Sequence, residues 1–495
     1  MRPSLLFDKE NDRVSDEIPW NSHDLVKDFE LERLFNTMSA GDKELKEISM
    51  KIVLNPLRQL KTIGYRQKVI EDSLKNSDII REIYNKFKKS ILQAKEHHFW
   101  MGSSNPEYIL HESVSILSTY IDTIEYVRDT LSRNYNKFDS SGFRSFIEFM
   151  LKYFDSDYIA EIRRHLSNLN FPRGIRVRGK IGEGNSITDY MLLEPNPVKH
   201  ALSRISLRNR NRHYTYVLPE RDEAGAQALS TMRRKAIIDV TNVLQDSAEN
   251  VLVFINEIVK EIGFCVASIN LHNAIESSSM PIVFPIPQDY DGAMEIRELC
   301  DISLGIKLQR KPVGNSFSTD KLNLMIITGA NGGGKSTFLR SLGQAQLLMQ
   351  SGLFIPAEYA KIPIVYAVFT HFKRGEDTEM NKGKFDEELN RMNLVVDNLM
   401  PGSLVCFNES FAATNSIEGS EIAKQIIDAL INKKIKVFFV THLYELAAAY
   451  YDQRENWMLF MRAHRIDIES PPFKIIEGKP LPTSYGEDLY NSIFH

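Results

Sequence analysis

The sequence predicts a mixed fold: a mostly α-helical first part with a β-hairpin inserted in it, then an α/β domain built on a largely parallel sheet. Three observations carry this expectation. Long proline-free tracts with helical apolar spacing occupy much of the chain before residue 280, and a Pro/Gly-rich segment at 172–219 interrupts them. From about residue 280, short apolar strands alternate with helical segments.

The helical tracts come first. No proline occurs between Pro56 and Pro106, between Pro106 and Pro172, or between Pro219 and Pro281, and these stretches are rich in Leu, Ile, Lys and Glu. Within the second, Leu110, Val114, Leu117, Ile121, Ile124, Val127 and Leu131 step by threes and fours, which places them on one stripe of a helix. Such a stripe must bury against another helix, so it carries architecture rather than chemistry. Segments around 65–101 and 220–262 read the same way, with Tyr65 to Trp100 as one long helical tract. In the interrupting segment, Ile175 to Ile181 alternates apolar with basic residues or glycine, and Gly182-Glu183-Gly184-Asn185 supplies turn residues before Ile187 to Leu193. This is the pattern of a half-exposed hairpin.

Composition bounds the possibilities. At 495 residues there is room for about three domains. The hydrophobic fraction of 43% and charged fraction of 25% are ordinary globular values, which excludes whole-chain disorder. A net charge of -4 excludes a polycation, so a nucleic-acid surface must be local. The three cysteines, Cys265, Cys300 and Cys406, are too few and too scattered for a disulfide framework or a zinc cluster. Residues 1–13 lack the apolar core of a signal peptide, and no window approaches the ~18 apolar residues that span a bilayer. The expectation is a soluble, cytoplasmic protein with no membrane partner.

The chemistry concentrates in the last part. Gly329-Ala330-Asn331-Gly332-Gly333-Gly334-Lys335-Ser336-Thr337 satisfies G-x-x-x-x-G-K-[ST], between a strand at Leu324–Thr328 and a helix at Phe338–Met349. Its glycines let backbone N–H groups turn inward around phosphate oxygens, and the helix N-terminus adds positive potential. Lys335 is placed to reach the β- and γ-phosphates and Ser336 to coordinate Mg²⁺. Four fixed positions match by chance in such a chain on the order of once in a hundred. Strand context makes the match stronger still. A second buried-strand run, Leu404 to Phe407, ends in Asn408-Glu409. Phosphate-loop NTPases usually place there an Asp that holds Mg²⁺; Asn408 offers a weaker, neutral amide oxygen. A third run, Val437 to Val440, ends in Thr441-His442. A His there is most often a polar strand end, or an imidazole that senses the γ-phosphate.

In this order and spacing the three elements resemble the ATPase domain of the MutS family, within the ABC-type class. Ile327 to Thr337 is similar to that family's I-T-G-P-N-x-x-G-K-S-T, with Ala330 in place of the proline. Gly352 to Ala357 resembles G-x-F-V-P-A, and Phe369-Thr370 resembles the F-T opening the next segment. Phe385 and Glu388 fit F-x-x-E, Asn408-Glu409 stands for D-E, Thr414 with Gly419 fits T-x-x-x-x-G, and Phe439 to Leu446 resembles F-A-T-H-x-x-E-L. The match covers about 313–486.

The resemblance implies a helical core or lever over 1–145, a clamp-like insertion with a basic hairpin over 146–219, returning lever helices over 220–279, and an ABC-type P-loop ATPase domain over 280–495. It further implies ATP and Mg²⁺ as cofactors, Glu409 as general base, His442 as γ-phosphate sensor, and a homodimer that grips nucleic acid, with DNA ahead of RNA. Several departures qualify it. The family's mismatch-reading domains precede the lever, whereas here the candidate lever starts near residue 24, and Phe146-Ile147-Glu148 falls in a helical tract. A direct mismatch reader is therefore not expected. The Ser and Thr ahead of F-x-x-E, of which the Ser meets the partner subunit's nucleotide, are Gly383 and Lys384. Ser484-Tyr485-Gly486 resembles the family's S-Y-G, but a following helix-turn-helix and an Smr nuclease domain are not expected.

Residues 173–213 hold nine Lys/Arg against three acids. Arg176, Arg178 and Lys180 share one face of a strand, and Arg208, Arg210 and Arg212 do so if that run is extended. Such rows suit phosphate contacts. The rival reading is a solvated face of an exposed hairpin. Two other functions stay open at this level: an RNA- or ribosome-associated ATPase, and a nucleotide-gated scaffold with little hydrolysis, to which Asn408 and Gly383 point.

Overall fold

The computed structural model describes residues 4–8, 17–98, 105–172, 174–185, 187–194, 216–219, 221–374, 384–464 and 473–481. Arg208, Arg210, Arg212, Gly383, Ser484, Tyr485 and Gly486 lie outside the described residues. The helices are α1 (Ser22–Asp28), α2 (Leu31–Ser39), α3 (Lys43–Val53), α4 (Leu60–Lys75), α5 (Ser77–His98), α6 (Pro106–Arg133), α7 (Ser141–Tyr153), α8 (Ser156–Leu169), α9 (Glu223–Ser277), α10 (Ile302–Leu308), α11 (Lys335–Gln350), α12 (Lys384–Asn398), α13 (Ser416–Asn432) and α14 (Tyr444–Asp452). The strands are β1 (Arg176–Ile181), β2 (Ile187–Leu193), β3 (Ile286–Gln288), β4 (Met294–Leu299), β5 (Asn315–Thr319), β6 (Leu324–Thr328), β7 (Tyr359–Pro363), β8 (Val368–Phe372), β9 (Leu404–Asn408), β10 (Lys436–Val440), β11 (Met458–Ala463) and β12 (Ile475–Glu477). The mixed α/β character predicted from the sequence is what the chain adopts.

The chain divides into two compact units. One takes in residues 81–136 and 146–259. There α6 opens on Asn105, whose side chain accepts from the Glu107 N–H, with Pro106 at the first helical position where its missing donor costs nothing. Every member of the predicted stripe from Leu110 to Leu131 is buried. Arg163 of α8 pairs with Asp122 and Glu125 of α6, and Phe149, Phe154 and Phe254 cluster across α7, its C-terminal end and α9. Phe146, Ile147 and Glu148 are helical, within α7. The hairpin β1–β2 is antiparallel, as the alternation predicts, with an irregularity between Arg178 and Lys180.

The other unit takes in residues 4–80, 137–145 and 260–495. Its main sheet has the order β12-β11-β6-β10-β9-β8, in which β11, β6, β10, β9 and β8 run parallel and β12 antiparallel. Fully apolar strands such as Leu324–Ile327 and Val437–Val440 are buried along their length, as a sheet covered on both faces requires. A second, mixed sheet has the order β3-β7-β4-β5.

One boundary differs from the sequence reading. The long helix expected over 65–101 breaks at Asn76, whose φ of -117° and ψ of 36° leave the helical region. Asn76 Nδ2 donates to the carbonyls of Asp72 and Lys137, so its side chain satisfies groups at the break. Residues 4–80 belong to the same compact unit as the phosphate loop. Phe29 sets its ring edge against Phe372 at 6.1 Å, and Arg374 pairs with Asp24 and Asp28 of α1. A Cβ on Gly343 of α11 would lie 2.2 Å from the Phe29 ring. Phe29 is fully buried and has nowhere to retreat. Gly343→Ala is expected to lower unfolding stability by about 1–3 kcal/mol, read as a shift in denaturant midpoint; an unchanged midpoint would mean the contact relaxes freely.

Among the described residues no helix is long and apolar enough to cross a membrane.

Candidate nucleotide site

The site forms at the C-terminal edge of the main sheet, where parallel α/β sheets place their ligands. Strand β10 lies between β6 and β9, with Val440 in register with both Ile327 and Asn408. The segments after these three strands therefore emerge side by side, and they carry Gly329, Glu409 and His442.

The phosphate loop Gly329 to Thr337 joins β6 to α11. Gly329, Gly332 and Gly334 have φ of 120°, 75° and 87°, which side-chain-bearing residues rarely adopt. Gly329 also passes so close to Ala463 that a Cβ would lie 2.8 Å from it. Gly334 caps α11, a 16-residue helix whose N-terminal N–H groups face the loop. Lys335 is buried, and its Nζ donates to the carbonyls of Gly329 and Ala330 at 2.8 and 2.9 Å. Burial pushes the ammonium below its ordinary pKa, and the Glu409 carboxylate opposes that shift.

Asn331 to Thr337 and Glu409 line one open cavity of ≈ 660 Å³, together with Leu304, Leu308 and Phe473. Arg310, Lys311 and Lys335 bring three positive charges to its wall against one carboxylate, Glu409. A polyanionic head and a flat apolar tail fit such a lining. The apolar wall is anchored to the loop's own helix: Asp301 caps α10 by accepting from the Leu304 N–H at 2.8 Å, and Arg340 of α11 pairs with Asp301 and Glu30.

Ser336 Oγ donates to Asn408 Oδ1 at 2.9 Å. The two predicted metal-binding residues are thus brought together. Mg²⁺ takes oxygen ligands, keeps several waters and uses phosphates as ligands. A hydroxyl and an amide oxygen fit that requirement, although neither carries charge. Among the described residues no group of three His, Cys, Asp or Glu is close enough to hold a metal by itself.

Glu409 sits at φ 54°, a left-handed conformation uncommon outside glycine, and its N–H donates to the Val440 carbonyl at 2.9 Å. The hydroxyl of Ser410, the next residue, faces two acceptors, the His371 carbonyl and the His371 Nδ1 at 2.8 Å, and shares its proton between them. His371 Nε2 donates to the Glu388 carbonyl at 3.0 Å, and the ring stacks on Phe411 at 5.3 Å. Sequence reasoning stopped at Phe369-Thr370 and missed His371. The available signal was an ionisable residue at an otherwise apolar strand position beside β9. His442 is exposed after β10 and is not part of the cavity wall; its neighbour Thr441 is buried and accepts from the Leu443 N–H.

In the hairpin, Arg176, Arg178 and Lys180 are all exposed. Arg176 donates to the Glu194 carbonyl at 2.6 Å and Lys180 pairs with Asp189 at 3.2 Å, while Asp189 has φ 51°. Pairing of Arg178 with Met191 and of Lys180 with Thr188 puts the extra residue on β2, so the alternation along β1 is kept.

Comparison with known proteins agrees with the motifs. The MutS2 N-terminal domain family matches residues 58–278, and the MutS domain V family matches residues 325–489. DNA mismatch repair protein MutS of Caldanaerobacter subterraneus subsp. tengcongensis is 24% identical over 431 residues, 85% of this chain and 45% of that protein. Mouse MutS protein homolog 4 is 35% identical over 137 residues, 28% of this chain and 14% of that protein. DNA mismatch repair protein MutS of Fervidobacterium nodosum is 35% identical over 131 residues, 26% of this chain and 16% of that protein. The matched stretches thus span less than half the length of these relatives. With a MutS-type family matched in the helical part and another in the part that carries the phosphate loop, the chain is a MutS-like protein.

Proposed function

We propose that the chain binds and hydrolyses ATP and couples that cycle to a grip on DNA, acting as a homodimer in a mismatch-repair-related role without reading the mismatch itself. The observation that carries the reading is the single cavity shared by the phosphate loop and Glu409. The loop's inward N–H groups and Lys335 hold the triphosphate, and the apolar wall of Leu304, Leu308 and Phe473 takes the base. Glu409 accepts a proton from the attacking water at a carboxylate oxygen, and His442, exposed outside the cavity wall, is the proposed γ-phosphate sensor. Mg²⁺, when bound, offsets the charge of the β- and γ-phosphates, with Ser336 and Asn408 as its protein-side holders.

On this reading residues 280–495 are the motor, 1–145 and 220–279 form the lever, and 146–219 form the clamp, with Arg176, Arg178 and Lys180 on DNA phosphates. Arg208, Arg210 and Arg212 belong to the same proposed surface. Support for DNA comes from the basic row and from the relatives named as mismatch repair proteins. One observation favours a second reading, a nucleotide-gated scaffold: the neutral Asn408 where the resemblance expects Asp.

The test is steady-state ATP turnover with and without duplex or branched DNA, across a dilution series. DNA-stimulated turnover that rises per chain with protein concentration is expected. Replacing Arg176, Arg178 and Lys180 together by Ala should weaken DNA binding by about tenfold or more and flatten its salt dependence. Turnover indifferent to DNA and to dilution would remove the clamp and the dimer from the proposal. ATP binding without turnover under any condition would favour the scaffold.

A further inference from the structure

We propose that Asn408 makes nucleotide binding by this chain largely independent of a divalent cation. The inference rests on the ATP-site reading above and goes beyond it by assigning the site's metal requirement to one residue.

The placement of Asn408 is over-determined. It ends β9 between two parallel neighbours, in register with Val440 of β10 and Phe372 of β8, and its carbonyl accepts from the Lys373 N–H at 2.9 Å. Its side chain is tied to Ser336, with Oδ1 accepting the hydroxyl proton at 2.9 Å. The amide therefore stands one hydrogen bond from the residue at the start of the phosphate-loop helix. A carboxylate at 408 would stand at that same hydrogen-bond distance from the phosphate loop, beside the cavity that Ser336 lines.

Charge then decides the metal requirement. A carboxylate at 408 would repel phosphate oxygens until a cation intervened. An amide carries no net charge and has two N–H donors to offer an anion. The ionisable residues of the cavity wall, Arg310, Lys311, Lys335 and Glu409, leave a net positive lining. A triphosphate meets attraction there with or without a cation beside it. A dication arriving with the nucleotide finds only neutral oxygens on Ser336 and Asn408, so the protein adds little to its retention. Metal-dependence of binding, in this chain, is set by the nucleotide and not by the strand end.

The measurement is the affinity of the full chain for a non-hydrolysable ATP analogue, by isothermal titration calorimetry, in excess Mg²⁺ and again in excess EDTA. The wild-type affinities in the two buffers are expected to agree within about threefold, whereas Asn408→Asp should lose about thirtyfold or more on removing the metal. Asn408→Ala, neutral and without the amide, is expected to keep a ratio between the two buffers within about threefold even if its affinity falls in both, which separates charge from the amide's own hydrogen bonds and still reads if the Asp variant folds poorly. A wild-type loss in EDTA as large as that of Asn408→Asp would overturn the inference. So would an Asn408→Ala variant that becomes as metal-dependent as the Asp variant. No binding by the wild type in either buffer would overturn the ATP-site reading itself, and this inference with it, and that null result differs from a metal-dependent one.

Discussion

Glu409→Gln is expected to lower ATP turnover by about 10²–10⁴-fold while ATP affinity stays within about threefold. The substitution preserves shape, so the half-buried side chain keeps its place on the cavity wall. The backbone is fixed independently of the carboxylate, through the Glu409 N–H on the Val440 carbonyl and the Ser410 hydroxyl on the His371 carbonyl. What is removed is the carboxylate's negative charge and with it the ability to accept a proton. Ground-state binding depends on the loop and Lys335, so it should survive, and losing a negative charge beside the phosphates favours it slightly. Single-turnover hydrolysis paired with equilibrium ATP binding checks both halves. Turnover within a few-fold of wild type would place the base elsewhere, with His442 the next group to test. A joint loss of binding and turnover would mean the variant disturbs the loop and not the proton transfer.

His371→Phe should destabilise the chain at neutral pH by about 1–3 kcal/mol and flatten its acid response. The phenyl ring keeps the stack on Phe411, but the Glu388 carbonyl loses its donor and Ser410 keeps only its bond to the backbone carbonyl of residue 371. The pH argument follows from burial. Burial, with the nearby Arg391 and Arg374 guanidinium groups, pushes the His371 imidazole down to about 4. In the unfolded chain a His titrates near 6.5. Between those values the unfolded state holds a proton that the folded state does not, so stability falls as pH drops through 6.5 toward 4. Across the full window this amounts to on the order of 3 kcal/mol, at no more than about 1.4 kcal/mol per pH unit. The gap between wild type and His371→Phe should therefore be widest at neutral pH and narrow below pH 6.5. A gap constant from pH 7 to 4.5, by denaturant unfolding, would rule out this titration as its source. Because Ser410 follows Glu409 directly, the same variant should also lower turnover more than ATP affinity.

Much of the site was legible in the sequence because its parts are local. Gly329 to Thr337 needs only its own glycines, a strand before it and a helix after it, and the structure supplies all three. Strands ending at Asn408 and Val440 were readable as apolar runs because a sheet covered on both faces tolerates little else. The hairpin was readable from period-two alternation and a glycine-rich turn. Less was legible where a residue's role depends on something distant in the chain. Asn76 breaks a helical tract that propensity would have continued, because it bonds the Lys137 carbonyl 61 positions away. His371 looks like one more strand residue until Ser410, 39 positions on, is brought against it.

The sequence by itself determined the chemistry on offer: a phosphate loop, a carboxylate after one strand, a neutral amide where a carboxylate was expected, and a basic hairpin. These are properties of short segments, set by steric limits on glycine-rich backbone and by side-chain charge. The tertiary structure decided which of them meet. Interposing β10 between β6 and β9 puts Ser336 within 2.9 Å of Asn408 and sets Glu409 on the loop's cavity, although 72 positions separate the bonded pair. It also brought residues 4–80 into the unit that holds the phosphate loop, through Phe29 against Phe372 and Gly343 and through Asp24 and Asp28 on Arg374. Strand order and long-range packing are global outcomes of burying apolar surface while pairing every backbone group. No local pattern encodes them, because each depends on what the rest of the chain leaves uncovered.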